Sequence, residues 1–239
     1  MFVTSAGFKR LINEAYKAAG LHIGNDGDGY YISGGYWVIW IKNGMIPKKE
    51  LASIIELTGG LPEKGEAFRA TKMGNQYEIP WREAYDAMGN AQSCDDAMEI
   101  TPLILDQAWH QARILQNTDN GTIVLINERF IDMIDNTVID YENGETQAEG
   151  PLISGKIQGV FWRNNIMALH VYPREDEENR KLLGFLETFD ITDEGGEDGE
   201  HRLFGTWHTQ SRQRKRRRKK SIRKASSKQK KESAISVYA

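Results

Sequence analysis

Thirteen Lys and Arg residues lie between Arg212 and Lys231 with no acid among them. Arg212, Arg214, Lys215, Arg216, Arg217, Arg218, Lys219 and Lys220 open the run. Cations at that density neutralise phosphates and release their counterions, a binding term that is large and indifferent to base sequence. The chain's net charge of −3 conceals the contrast: from Arg212 onward the balance is +12, and the remainder carries 18 bases against 33 acids, or −15. Such asymmetry speaks of partners, not of fold. DNA is the partner the tail suits. A solvated or targeting tail, or one that folds back on the acidic body, is the competing reading.

Other residues that could do chemistry lack the spacing for it. His110 and His170 alternate with apolar neighbours in expected strands, which suits a structural or surface role. His201 and His208 flank a short apolar segment near Asp198 and Glu200 without a metal-binding pattern, and His22 stands alone. Asp26-Gly27-Asp28-Gly29 imitates the middle of a calcium loop. In a twelve-residue loop begun at Gly24, however, the first ligand position is Gly24 and the closing one Gly35, so a plain turn is expected and no metal. Cys94 is the single cysteine; it excludes an internal disulfide, and Asp95-Asp96 beside it would raise a thiol pKa and oppose thiolate formation. No nucleophile elbow, Walker glycine loop or dinucleotide fingerprint is present. The chain is therefore read as non-enzymatic, without cofactors.

The elements that must carry these residues come next. A chain of 239 residues with 39% hydrophobic content can build one large domain or two ordinary ones. No apolar run approaches the roughly 18 residues that would span a bilayer, and no basic segment followed by an apolar one opens the chain, so neither a membrane nor export is expected. The expected location is the cytoplasm, or the nucleus for a eukaryotic source.

Met1 to Ser5 suits a short strand. Phe8, Leu11, Ile12, Ala15 and Ala19 then mark one face of a helix over 7–19, with Lys9, Arg10, Asn13 and Lys17 away from it. Tyr30–Ser33 and Tyr36–Ile41 form a hairpin around Gly34-Gly35. The order repeats from Asn43: a short apolar stretch, Pro47 at a helix start, and a helix over 48–57 that Gly59-Gly60 ends. Leu51, Ile54, Ile55 and Thr58 form its expected inner stripe, opposite Lys48, Lys49, Ser53 and Glu56. A hairpin of 66–69 and 76–79 follows. Residues 81–98 read as an irregular or helical connector. Strands at 102–105, 109–115 and 122–126 lead to a helix capped by Asn127, with Phe130, Met133 and Ile134 inward. A hairpin of 152–162 and 166–172 closes at Pro173, and Leu182, Leu183, Leu186 and Phe189 suit one more helix. Residues 175–205 are strongly acidic, and 206–239 form a low-complexity basic tail, expected to be disordered when free.

The fold class expected is thus α+β, with antiparallel sheets and helices packed on one face. Two successive strand-helix-strand-strand units, the second opening on Ile46-Pro47 with a helix that ends before Leu61-Pro62-Glu63-Lys64-Gly65, resemble the first domain of a DNA polymerase sliding clamp. The Ala168-to-Pro173 run is similar to the strand that ends a clamp domain. This resemblance implies a clamp-like domain over 1–80 and a second, divergent one over 99–174. Helices of sliding clamps line a central hole and turn basic residues toward duplex DNA, which implies that role for Lys9, Arg10, Lys17, Lys48 and Lys49. Glu128, Asp132 and Asp135 on the later helix do not fit the pattern. The resemblance also implies replication proteins as partners and a closed homo-oligomer. A clamp fold serving as a scaffold or inhibitor through protein contacts is the alternative.

Overall fold

The computed structural model describes residues 1–77, 85–106, 110–173 and 180–192. The chain divides into Met1–Thr192 and Asp193–Ala239, and the second unit lies outside the described residues. So do the ends of several expected elements, at Ile79, Trp81, Trp109 and Glu175.

Helix α1 (Ser5–Lys17) starts where the Thr4 hydroxyl accepts a hydrogen bond from Gly7 N at 3.2 Å. Gly7, Phe8, Leu11, Ile12 and Ala15 are buried along it. Three strands follow: β1 (Leu21–Asn25), β2 (Gly29–Ser33) and β3 (Trp37–Lys42). Helix α2 (Lys48–Thr58) ends at Gly59, whose φ of 77° is left-handed, and leads to β4 (Ala67–Thr71) and β5 (Gly74–Tyr77). Next come α3 (Ala87–Gln92), β6 (Asp96–Ala97), β7 (Glu99–Asp106), β8 (Gln111–Gln116), β9 (Ile123–Asn127) and α4 (Glu128–Ile131). Strands β10 (Glu149–Ile153), β11 (Val160–Arg163) and β12 (Met167–Val171) precede α5 (Arg180–Leu186).

The fold class is α+β with antiparallel sheets. A nine-stranded sheet runs β5-β4-β1-β2-β3-β12-β11-β10-β6, and β7-β8-β9 form a three-stranded one. Strand β12 lies directly on β3 in register Leu169↔Ile39, so the large sheet continues without a break from residues 21–77 into residues 149–171.

Alternation decides what each face meets. Trp37, Ile39 and Ile41 of β3 point into the main core with Phe8, Leu11 and Ile12 of α1 and Ile54 of α2. Leu115 and Ile126 of the small sheet, Phe130 of α4 and Met133 just past it close that core. Val38 and Trp40 face the other way and join Ala87, Ala91 and Cys94 in a second core beneath α3. The segment expected as a connector therefore supplies the cover for the back of the large sheet. A third cluster, Ala112, Ile114, Ile123 and Leu125, lies on the far face of the small sheet under Leu183, Leu186 and Ile191. Among the described residues, no helix is long and apolar enough to cross a membrane.

Local differences from the sequence reading have physical causes. The leading strand at 1–5 is a single bridge, Val3↔Ile134, because α1 already begins at Ser5. Residues 44–46 form no strand; Met45 N donates to Lys42 O at 3.0 Å in a turn. Strand β1 occupies Leu21–Asn25, where a turn-rich stretch was expected from Gly24 on. Gly24 is there to be crossed by an aromatic ring: a Cβ on it would lie 2.1 Å from Tyr31 Cζ. Residues 152–162 are two strands, since 154–159 leave the sheet between β10 and β11.

Candidate nucleic-acid interface

Helices α1 and α2 pack side by side on one face of the large sheet, in contact with each other and with β4. The junction is polar: the Ser5 hydroxyl donates to the carboxylate of Glu50, which is buried. Satisfying that carboxyl turns α2 about its axis relative to the expected stripe. Glu50, Ser53, Ile54 and Thr58 are buried, Leu51 is half-buried and Ile55 is 42% exposed. Ile55 thus lies outside, and Ser53 inside, contrary to the sequence reading. Thr58 remains acceptable indoors because its hydroxyl donates to Ile54 O at 2.9 Å, the usual back-bond of a helical Thr. Ala19, expected on the inner face of α1, is exposed beyond the helix end.

Lys9, Arg10 and Lys17 of α1 and Lys48 and Lys49 of α2 are all exposed. Acids on the same two helices are already engaged. Glu56 is 3.9 Å from Lys9 Nζ, with both side chains more than half exposed, a contact that contributes little. Glu14 receives Arg129 Nη1 at 2.6 Å. Arg129 itself lies 5.3 Å from the Tyr36 ring centroid and 5.2 Å from that of Phe130, and it also donates to the Tyr36 hydroxyl. Among the described residues, Arg10, Lys17, Lys48 and Lys49 have no carboxylate within ion-pair distance. Pro47 offers no side-chain acceptor to the first turn of α2, so backbone N–H groups open beside Lys48 and Lys49. Arg129, 115 residues along the chain from Glu14, is the contributor that sequence spacing missed. The tail residues Arg212 to Lys220 lie outside the described residues.

Other residues singled out by type have structural occupations. Asp26 Oδ1 accepts from Asp28 N at 2.9 Å and Gly29 N at 2.7 Å, and Oδ2 accepts from Trp40 Nε1 at 2.8 Å. Its carboxylate closes a turn, and no group of three metal-ligating side chains gathers among the described residues. His170 is buried between the rings of Phe161 and Tyr172, with centroids at 4.2 and 4.3 Å. Tyr85 stacks on Tyr31 at 4.8 Å and its hydroxyl lies 3.2 Å from His22 Nδ1. Burial pushes the Cys94 thiol up to about 11; Arg163 works against this, while Asp95 and Asp96 add to it. The neighbouring carboxylates act in the expected direction, but desolvation is the larger cause. Burial, together with Tyr85 and Asp26, likewise raises Tyr31 to about 12.

No protein-family model matches this chain, and no curated protein matches it. Among solved structures, the chain is similar to the DNA polymerase III β chain of Streptococcus pneumoniae TIGR4, at 11% identity and a TM-score of 0.29. The match takes in 75% of this chain and 66% of that one, just under two thirds of its length.

Proposed function

We propose that this protein is a non-enzymatic, replication-associated DNA-binding protein with a clamp-like scaffold, acting in the cytoplasm or, in a eukaryote, the nucleus. The α1–α2 face contacts the phosphate backbone through Lys9, Arg10, Lys17, Lys48 and Lys49, and the run from Arg212 adds affinity that is indifferent to sequence. The observation that carries the reading is that these cations are all exposed on two helices packed side by side, that among the described residues only Lys9 lies within ion-pair distance of a carboxylate, and that Glu14 is engaged by Arg129. Exposed cations free of local counter-charges are what a polyanion can pair with. The excess of acids in the rest of the chain, 33 against 18 bases, favours a second reading: a scaffold or inhibitor that works through protein contacts.

Anisotropy of a random labelled duplex, titrated at several salt concentrations, separates the two. Replacing Lys48 and Lys49 by Ala should flatten the slope of log K against log salt by about 1.8, at about 0.9 for each phosphate no longer neutralised. Replacing the eight cations from Arg212 to Lys220 by Gln should flatten it by up to about 7. Weak binding at about 50 mM salt that is the same in all three proteins would reject the DNA reading and favour the protein-contact one.

A further inference from the structure

Tyr36 is 46% exposed in the turn between β2 and β3, directly after Gly34-Gly35. A lone aromatic residue in water needs no partner, because much of any folded surface is apolar. The neighbours of Tyr36 set it apart. The Arg129 guanidinium lies 5.3 Å from its ring centroid and donates to its hydroxyl, and the Phe130 ring meets it edge to face at 6.2 Å. Tyr36 O also accepts from Tyr172 N at 3.0 Å, which ties the turn to the end of β12. The ring is thus held in one orientation with nearly half of the residue in water, and little ordering is left for a ligand to impose.

The same contacts place the ring beside the cations of α1. Arg129 Nη1 donates to Glu14 at 2.6 Å, so a single guanidinium bridges Tyr36 and Glu14. Arg10 and Lys17 stand four residues before and three after Glu14, on the same side of the helix, and both are exposed. Lys9 is turned toward α2 instead, where Glu56 lies 3.9 Å from it. Helix α1 therefore carries cations on two flanks, one along α2 and one along Tyr36 and Arg129. On the second flank Arg10, Lys17 and Arg129 stand against Glu14 and, at the end of α4, Asp132, since Glu128 is taken by Arg113.

Cations beside an oriented aromatic ring are the two components of a single-strand site: the charges follow the phosphates, and the ring takes a base through the π-face that every base has. A base stacked and paired inside a duplex cannot reach such a ring, whereas an unpaired one can. We propose that Tyr36 is a stacking platform for an unpaired nucleobase, with Arg129 positioning the ring and Arg10 and Lys17 on the adjoining phosphates. The proposal rests on the DNA-binding reading above and specifies the form of the DNA at this flank: a strand that is locally single.

A labelled oligothymidylate compared with an abasic oligomer of the same length tests it, because the two carry the same phosphates and only one carries bases. By anisotropy, the full chain should bind the oligothymidylate more tightly by about five- to a hundredfold, the range of one base stacked on an aromatic side chain. Tyr36→Ala should erase that difference while leaving the affinities for the abasic oligomer and for a duplex unchanged, and Tyr36→Trp should keep it. The comparison within the parent protein needs no variant and stands even where a substitution disturbs folding. Equal affinity of the parent for the two oligomers, a preference that survives Tyr36→Ala, or one lost in a folded Tyr36→Trp overturns the proposal and leaves duplex binding in place. No binding to either oligomer or to the duplex overturns the DNA reading itself, and this proposal with it.

Discussion

Ile54 and Ile55 are adjacent in sequence and identical in chemistry, and the rotation of α2 gives them opposite fates. Ile54 is fully buried in the core that contains Phe68 and Ala70 of β4, whereas Ile55 is 42% exposed. Truncating a buried Ile to Ala removes transfer free energy and leaves a partly unrelaxed cavity, costing about 3 kcal/mol within a range of 2–5. In a folded unit of this size, that lowers Tm by about 6–12 °C, at 2–4 °C per kcal/mol. Ile55→Ala removes surface that is already half in water, and Ala has the higher helix propensity, so its change should stay within about 0.5 kcal/mol. Urea denaturation of the two variants, followed by far-UV circular dichroism, reads both quantities, and unchanged m-values license the comparison. Equal losses, or a larger loss at Ile55, would show that α2 is turned the other way.

Two more perturbations probe the remaining layers. Arg113 forks onto Glu128 through Nε at 2.6 Å and Nη2, and donates from Nη1 to Thr101 O at 2.9 Å, with the two charged side chains 14% and 12% exposed. Arg113→Ala leaves Glu128 largely desolvated and unpaired, and should cost about 2–3 kcal/mol in chemical denaturation, below the 3–5 of a fully buried pair; the double variant Arg113→Ala/Glu128→Ala should recover part of that loss. Cys94 and Tyr31 are each held above their ordinary values of 9.0 and 10.0 in the folded state, at about 11 and about 12. Their contribution is therefore fully present below pH 9 and is lost as pH rises through those folded values, because the unfolded chain releases its protons first. Denaturation midpoints measured from pH 7 to 11 should be flat to about pH 9 and then decline, with a shallower decline for Cys94→Ala; a slope for that variant equal to the parent's would remove Cys94 from the account.

Much of the architecture was legible in local pattern. Gly59 ends α2 as capping chemistry requires, Gly34-Gly35 joins β2 to β3, and Asn127 accepts from Arg129 N at the start of α4. The apolar residues at 182–189 announced α5, and the apolar run at Tyr36–Ile41 announced β3. These features depend on neighbours within one or two turns of chain, so the amino acids alone determine them. The concentration of cations from Arg212 onward is likewise a property of the sequence.

What tertiary structure decided are the relations between distant segments. Nothing near β3 states that β12, about 130 positions on, will pair with it, because both strands carry apolar residues on two faces and would suit several neighbours. The rotation of α2 was decided by Glu50 finding the Ser5 hydroxyl on another helix, a satisfied polar contact that outranked one half-buried Ile. Arg129 reaches Glu14 only because β8, β9 and α4 are folded against α1. Periodicity specifies that a helix has an inner and an outer side; which residues stand at the boundary depends on the surface it meets, and that surface is assembled from the rest of the chain.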